Sequence, residues 1–460
     1  MRRIHSLIQN LSSLQENKIS IYEITSNKKT LLISASSIEG AWGKSFPPAG
    51  SKGRALGTRL PEAYKYLMFT PDLVILPGTE GSLLRKELAL AFGEAGCDVR
   101  MPDPDRLLDT SYDLNLRNLL DGRRCLYFAI NGSGLAPLRE RLELLNRADC
   151  RVALWFVDNP WNILSGIREP LWRTLPLFVT DKSFIAPLKA NGAENVRHLP
   201  LAASFAHFVP SPESEDISPP PASLAPVVFV GRSAFPDKAR FFADSAPPND
   251  AYRESEALLA SGQRPDLLWW QKRLGINDDR LWPGREARRA SCGAEEANLR
   301  WRSLCLSGAA SAGRAYNAMT GLSGPGLDIL GDAGWVRLLP PGIRLRPPVD
   351  YYTRLPGIYR QAAYSLCLTS LQLPQGLNQR HFDVWAAGGC CLSDNTPGLE
   401  LFPRELTDPI RFRTPGDIIT VMEKIERQNL RASLISGWQA CLREKHTYAH
   451  RARLLLDCLK

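Results

Sequence analysis

Short apolar runs alternate with amphipathic stretches along most of the chain. In the first half, the apolar runs lie at 72–78, 125–132, 151–160, 175–181 and 195–202. The stretches between them have the 3.6-residue spacing of helices. Strands that are apolar on both faces are typical of parallel sheets covered by helices on both sides. The pattern therefore predicts an α/β fold.

A boundary divides the chain near its middle. The stretch FVPSPESEDISPPPASLAP is rich in proline, serine and acidic residues, and it reads as a linker. Strand-like and helix-like segments alternate on both sides of it. The first predicted part is a Rossmann-like domain at 1–207, of which 1–60 is an undefined extension, and the linker at 208–226 follows it. The second predicted domain, also Rossmann-like, covers 227–445 and contains a helical insert at 240–320. A terminal helix at 446–460 ends the predicted division.

The most informative stretch is NQRHFDVWAAGGCCLSDNTPGLELF, residues 378–402. Helical periodicity over about 377–387 places the aromatic residues on a core face. Arg380 and Asp383, one turn apart, fall on the opposite face. Periodicity alone leaves two readings open, which are a ligand site and a charged surface pair that contributes little to stability.

The start of this helix has the features of an anion site. Gly376 precedes the helix, and Asn378 lies at or near its N-cap. Unpaired backbone N–H groups and the positive end of the helix dipole would therefore meet beside Arg380. In doubly wound sheets, ligands bind at the carboxyl ends of the strands, so we expect this site in a cleft between the two domains.

Composition narrows the range of partners. The chain has 460 residues and a net charge of +9, which suits anionic ligands, but no block of like charges indicates a nucleic-acid partner. Its 10 cysteines include no C-x-x-C pair, which argues against zinc or redox motifs. No apolar run approaches the ~20 residues of a membrane span, and no signal peptide is recognisable. We expect a cytoplasmic protein without a transmembrane segment, and peripheral membrane contact stays open.

The order of residues in this stretch resembles the donor-binding segment of GT-B glycosyltransferases. In that family, a loop Glu and a helical Glu eight positions later are followed by a glycine and a buried strand. Here Gln375 and Asp383 stand at the two Glu positions. Gly388 lies where the chain of a family member passes from the helix into the strand. Glu400 follows Asp394 at the family's usual distance.

The variant N-x-R-x-F-[acid] more closely resembles the CgeB-like, spore-protein branch of that superfamily. Downstream segments such as PIRFRTPGDIITVMEKI and HTYAHRARLLL are also similar to it, and the resemblance covers roughly residues 72–455. It implies a GT-B-like fold, that is, two doubly wound Rossmann-like domains with an interdomain cleft. The first domain would bind the acceptor, the second would bind a nucleotide-sugar donor, and the terminal helix would brace the domains.

The same resemblance assigns roles to individual residues. Asp383 would bind the ribose, while the helix start with Arg380 would meet the diphosphate. Gly231 and Arg232, in the turn FVGRSAFPDK, would also hold the donor phosphates. Asp158 at the end of ALWFVDNP is the candidate general base, with Asp181 as an alternative. The expected donor-binding set is Gly231, Arg232, Gln375, Gly376, Asn378, Arg380, Asp383, Gly388, Asp394 and Glu400.

The predicted function is the transfer of a sugar from a nucleotide-sugar donor to a protein or cell-surface polysaccharide, without a metal or other cofactor. The nucleotide-diphosphate sugar is a substrate. Gln375 removes a carboxylate from beside the donor sugar, so retention and inversion both stay open. Two alternatives also stay open, a nucleotide-sugar epimerase and a non-catalytic GT-B-like protein of surface-layer assembly.

Overall fold

The computed structural model describes residues 21–26, 29–34, 69–82, 84–103, 120, 122–167, 170–208, 224–233, 248–261, 263–275, 285–339 and 343–460. The chain forms two compact units, residues 1–61 and 62–460. In the first unit, β1 (Ile21–Ser26) and β2 (Lys29–Ser34) pair as an antiparallel hairpin. All elements below belong to the second unit.

The first parallel sheet has the strand order β4-β3-β5-β6-β7-β8. Chain direction across the sheet reverses between β3 and β5, which makes this the topological switch point where such sheets bind ligands. The strands are β3 (Leu73–Ile75), β4 (Asp98–Arg100), β5 (Cys125–Ile130), β6 (Cys150–Phe156), β7 (Pro176–Val179) and β8 (Asn195–His198).

The second parallel sheet has the order β11-β10-β9-β12-β13-β14. Its switch point lies between β9 and β12, as in dinucleotide-binding sheets with the order 3-2-1-4-5-6. The strands are β9 (Val227–Val230), β10 (Leu327–Leu330), β11 (Arg344–Arg346), β12 (Tyr364–Cys367), β13 (Cys391–Asp394) and β14 (Arg411–Phe412).

Helices cover the sheets and connect their strands. Among the described residues, five accompany the first sheet, namely α1 (Arg85–Glu94), α2 (Leu138–Arg147), α3 (Trp161–Leu164), α4 (Ile185–Ala190) and α5 (Phe205–Phe208). Nine follow β9 in the described part of the chain: α6 (Asn249–Ala260), α7 (Leu267–Arg273), α8 (Arg285–Thr320), α9 (Leu355–Gln361), α10 (Gln379–Ala386), α11 (Arg404–Thr407), α12 (Asp417–Arg427), α13 (Arg431–Lys445) and α14 (Tyr448–Leu459). Within the described residues, no helix is both long and apolar enough to cross a membrane.

Both faces of the first sheet are buried, which explains its continuous apolar runs. Because side chains alternate along a strand, Leu126 and Phe128 of β5 enter one core cluster, while Tyr127 and Ala129 enter another. The cluster around Phe128 continues into the second half of the molecule. The two sheets are therefore joined by shared apolar packing as well as by the chain itself.

The last helix, α14, returns to the first sheet. The Tyr448 ring lies edge-on to Trp155, with the centroids 6.5 Å apart. Arg451 Nε donates to the carbonyl of Pro200 at 2.7 Å, and its Nη2 donates to that of Leu201 at 3.1 Å. Helix α14 thus packs against the domain that contains the first parallel sheet.

The long crossover helix α8 packs very closely against the second sheet. A Cβ on Gly313 would lie 1.9 Å from the carbonyl oxygen of Gly326, so only glycine allows this approach. Together, these features confirm the predicted fold class, an α/β protein with two doubly wound sheets. The domain boundaries stay predictions, and the linker at 208–226 lies largely outside the described residues, as do 240–247, 262 and 276–284 of the helical insert.

Candidate functional site

A cavity of about 720 Å³ opens where the switch points of the two sheets face each other. Pro77 follows β3 and Asn131 follows β5 on one side, while Ser370 follows β12 on the other. This volume lies within the ~300–1,000 Å³ range that is common for small-molecule sites. The topology of both sheets therefore directs their strand ends into one ligand-sized space.

Arg380 belongs to the cavity wall that the second sheet supplies. Its Nη1 donates to the carbonyl of Leu368 at 3.4 Å, and its guanidinium lies 4.8 Å from the centre of the Phe229 ring. A Cβ on Gly231 would lie only 2.7 Å from Arg380 Nη2. Gly231 thus leaves room for the guanidinium at the turn after β9. No carboxylate among the described residues pairs with Arg380, so its charge is available to an anion.

Asn378, the residue before α10, also lines the cavity. Its side chain does not cap the helix. Instead, Nδ2 donates to the carbonyl of Leu368 at 2.8 Å, and Oδ1 lies 3.0 Å from His381 Nδ1. The first backbone N–H groups of α10 therefore have no side-chain cap, as an anion site at a helix N-terminus requires.

The loop before α10 is held by the first domain. The backbone N–H of Gln375 donates to Asp181 Oδ2 at 2.7 Å, and Asp181 is fully buried. A Cβ on Gly376 would lie 3.2 Å from Asp181 Cβ, so a small residue suits this position. Asp181, the alternative base, therefore fixes a loop and does not line the cavity. The predicted phosphate contact of Gly376 stays a prediction.

Asp158 lies on the opposite wall, formed by the first sheet. It follows β6, lines the cavity, and accepts a hydrogen bond from Asn131 Nδ2 at 2.8 Å. Its carboxylate opens to the cavity, but the surrounding protein displaces much of its water. This desolvation raises the pKa of Asp158, and the bond from Asn131 opposes that rise.

Helix α8 contributes two charged residues that the sequence analysis did not single out, Glu295 and Arg302. Both line the cavity. Ser370 Oγ donates to Glu295 Oε2 at 2.5 Å, and Arg302 Nη1 lies 3.4 Å from Glu295 Oε1. Their seven-residue spacing was the sequence feature that could have identified them, because it puts both on one helix face among buried alanines and leucines.

The structure corrects the expected orientation of Asp383. The predicted polar face of α10 is covered, because Tyr351 bonds to Asp383 and Tyr448 bonds to neighbouring Gln379, and Asp383 is only 2% exposed. Tyr351 Oη donates to Asp383 Oδ2 at 2.8 Å, and Gln379 Nε2 donates to Oδ1 at 2.7 Å. Asp383 does not line the cavity, so its predicted ribose contact would require one of these partners to move.

This enclosure changes the charge state of Asp383. Burial raises the pKa of its carboxyl to about 8, although the bonds from Gln379 and Tyr351 oppose the rise. Burial also raises the pKa of Glu87 in α1, which accepts from Tyr352 Oη at 3.2 Å. Buried carboxyls and tyrosines thus lie together where the first domain meets α10.

Two predicted donor-binding residues line a different pocket. Gln375 and Glu400 border a space of about 330 Å³ near the ends of β13 and β14. Glu400 is exposed and lies 3.5 Å from Lys182. The structure thus separates these two residues from Arg380, so their predicted contact with the same donor stays a prediction.

The remaining members of the predicted set lie outside the cavity wall. Asp394 is buried, accepts from Thr369 Oγ1 at 2.8 Å and pairs with Arg264 at 2.9 Å. Gly388 has a positive φ of 79° and ends α10, as glycine commonly does. Arg232 is exposed in the turn after β9. Their donor contacts also stay predictions.

One group among the described residues could hold a metal ion. The donor atoms of Cys367, His381 and Cys391 all lie within 4.8 Å of one another. However, all three residues are buried, and His381 Nε2 already lies 2.9 Å from Ser393 Oγ. Burial lowers the pKa of His381 to about 4, so its imidazole is neutral. None of the three lines the cavity, and the expected metal independence stays a prediction.

Part of the chain matches a known family. Residues 312–457 match a family described as "Glycosyl transferase-like". The match covers less than half of the chain and includes α10, while Glu295 and Arg302 lie before it. No curated protein sequence matches the chain significantly.

Solved structures with a similar course of the chain show low identity. Anabaena HepE in complex with UDP-glucose is 9% identical, with a TM-score of 0.45 over 84% of this chain and 99% of that one. T4 phage β-glucosyltransferase is 13% identical, with a TM-score of 0.46 over the same shares. An E. coli trehalose-6-phosphate structure bound with UDP-2-fluoro glucose is 10% identical, with a TM-score of 0.43 over 84% and 98%. At these scores the likeness carries no argument, and the fold assignment rests on the sheet topology.

Proposed function

We propose that this chain is a glycosyltransferase of the GT-B type, which binds a nucleotide-sugar donor in the cavity between its two sheets. The observation that carries the proposal is the family match over residues 312–457. That segment contains α10, and both Asn378 and Arg380 line the cavity at the switch point of the second sheet. Doubly wound sheets bind nucleotides at such positions.

Arg380 and the start of α10 would bind the donor diphosphate. Departure of a nucleoside diphosphate from the sugar leaves negative charge on the phosphate oxygens. A fixed guanidinium and backbone N–H groups stabilise that charge without proton transfer. This chemistry supports the proposed metal independence, because the protein itself supplies the positive charge.

Asp158 would act as the general base on the acceptor side. Its carboxylate would take the proton of an acceptor hydroxyl while that oxygen attacks the sugar carbon. The raised pKa of Asp158 moves it toward neutral pH, where proton transfer is most efficient. We therefore favour an inverting reaction. Gln375 lines the other pocket, so the position of the family's first Glu supplies no carboxylate beside the proposed donor.

The finer parts of the proposal rest on the resemblance to the CgeB-like branch. They are hexosyl transfer to a protein or cell-surface polysaccharide, and a cytoplasmic location. The proposed reaction needs no cofactor, because the nucleotide-diphosphate sugar is the substrate. The cavity wall offers polar groups on Asn131, Ser133 and Asp158, which are compatible with hydroxylated acceptors.

The test is calorimetric titration of the purified full-length chain with UDP, GDP and dTDP in the presence of EDTA, followed by incubation with the matching sugar nucleotides. We expect one nucleoside diphosphate to bind and the corresponding donor to release it. Arg314→Gln serves as a control variant, because Arg314 is exposed on α8 and does not line the cavity.

Three outcomes would contradict the proposal in different ways. If no nucleoside diphosphate binds, the donor site is wrong. If a donor binds but its sugar is only epimerised, the chain is an epimerase. If a donor binds and is never turned over with protein or polysaccharide acceptors, the non-catalytic alternative holds.

A further inference from the structure

Helix α8 directs a buried arginine into the same cavity from outside the family-matched segment. Arg302 lines the cavity together with Arg380 and Asn378, and only 13% of its side chain is exposed. The family match begins at residue 312, two to three helical turns after Arg302. Neither the resemblance nor the match assigns a role to Arg302.

The Arg302 side chain is held in a defined orientation. Its Nη1 lies 3.4 Å from Glu295 Oε1, and Ser370 Oγ anchors the other oxygen of Glu295 at 2.5 Å. With the Asn298 amide oriented to accept, its oxygen lies 3.0 Å from both Nε and Nη2 of Arg302. A guanidinium fixed in this way loses little entropy when it binds a ligand.

The charges at this end of the cavity leave positive charge in excess. Arg264 is paired with Asp394 at 2.9 Å, and Arg302 is paired with Glu295. Among the described residues, Arg380 has no carboxylate partner. Burial lowers the pKa of Arg302, and the charge of nearby Arg380 lowers it further, while Glu295 opposes both effects. An anion between the two guanidinium groups would relieve this repulsion.

We propose that Arg302 is a second phosphate-binding residue, which holds a nucleoside diphosphate together with Arg380 and is oriented by Glu295 and Ser370. This inference rests on the proposed function, since it concerns the same donor. It makes α8 part of the donor site, so a helix that covers the sheet also determines selectivity for phosphate. Two guanidinium groups suit a diphosphate, because each can engage one phosphate group.

The test compares phosphate-dependent with phosphate-independent binding. The nucleoside diphosphate that binds the wild-type protein, the matching monophosphate and the free nucleoside are titrated into wild type, Arg302→Gln and Arg314→Gln. We expect Arg302→Gln to bind the diphosphate about 10-fold to 100-fold more weakly, as for loss of a charge-assisted hydrogen bond. Nucleoside binding should stay unchanged, and Arg314→Gln should resemble the wild type.

Arg302→Lys provides a second readout if the Gln variant does not fold. It keeps the charge but loses the planar fork, so we expect diphosphate affinity to fall about threefold to 10-fold. The inference is overturned if either folded variant binds the diphosphate within twofold of wild type, or if nucleoside affinity falls equally. Failure of the wild type to bind any nucleoside diphosphate would instead overturn the proposed function, and this inference with it. Loss in Arg380→Gln without loss in Arg302→Gln would overturn this inference alone.

Discussion

The two walls of the cavity carry opposite kinds of chemistry. The wall from the first sheet presents Asp158 and Asn131, an acid and an amide at the ends of neighbouring strands. The wall from the second sheet presents Arg380, and α8 adds Arg302 beside it. One wall can accept a proton, whereas the other can bind an anion. The difference suggests that two similar folds divide one reaction, with proton transfer on one side and binding of the leaving group on the other.

The largest effect should come from Asp158→Asn. The amide cannot accept a proton from the acceptor, and loss of general base catalysis typically costs 10²–10⁴-fold in rate. Sugar transfer should fall by at least about 100-fold, while donor affinity stays within twofold of wild type. Product formation with saturating donor and direct titration of donor binding measure the two quantities separately.

Asp149→Asn is a matched control for that variant. Asp149 precedes β6, whereas Asp158 follows it, so both variants remove one charge from an end of the same strand. Asp149 has a φ of 53°, a conformation that Asn tolerates well. If both variants lose transfer equally, or if Asp158→Asn keeps full activity, the first-sheet wall does not supply the base.

The next largest effect should come from Arg380→Gln on the opposite wall. Loss of the guanidinium should weaken binding of the nucleoside diphosphate by about 10-fold to 100-fold, since hydrogen bonds to charged groups contribute roughly 1.5–3 kcal/mol. Free nucleoside should bind as before. Calorimetric titration checks this difference, and unchanged diphosphate affinity would show that the anion binds elsewhere.

The sequence predicted the sheets and the position of the anion site better than the contacts of individual buried side chains. Apolar runs such as 125–132 identified the strands, because a central parallel strand is buried on both faces whatever its neighbours are. Arg380 could be placed because the helix start is a local feature and doubly wound sheets bind ligands at the carboxyl ends of their strands. The covering of Asp383 could not be predicted, because Tyr351 bonds to it, and Tyr448 bonds to its partner Gln379, from distant parts of the chain. Likewise, the seven-residue spacing of Glu295 and Arg302 indicates a shared helix face, but not that this face meets the cavity.

The boundary between the domains supplies a pH-dependent prediction. Asp383 has an ordinary pKa near 3.9 when unfolded and about 8 when folded. Between these values the folded state holds a proton that the unfolded state has lost, so stability should fall as pH rises from about 4 to about 8. The limiting slope is about 1.4 kcal/mol per pH unit.

Urea unfolding of wild type and Asp383→Asn at pH 5, 6 and 7 measures this slope. The variant cannot titrate at this position, so its stability should vary less with pH. Glu87, also buried with a raised pKa, remains in both proteins, and its charge adds to the rise in the pKa of Asp383. Asp457→Asn, which removes an exposed charge from α14, is the control and should keep the wild-type slope. Equal slopes in all three proteins would show that Asp383 is ionised in the folded state.

The smallest effect should come from Gln375→Ala, which tests whether the second pocket takes part in donor binding. Gln375 borders the space of about 330 Å³ with Glu400, and its backbone N–H is held by Asp181. Because alanine keeps that backbone bond, we expect donor affinity and transfer to stay within about twofold of wild type, the range of surface substitutions. Gln428→Ala, at an exposed position after α12, is the control. A loss above 10-fold in Gln375→Ala alone would place the donor across both pockets, and the anion-binding wall would then extend from Arg380 to the end of β14.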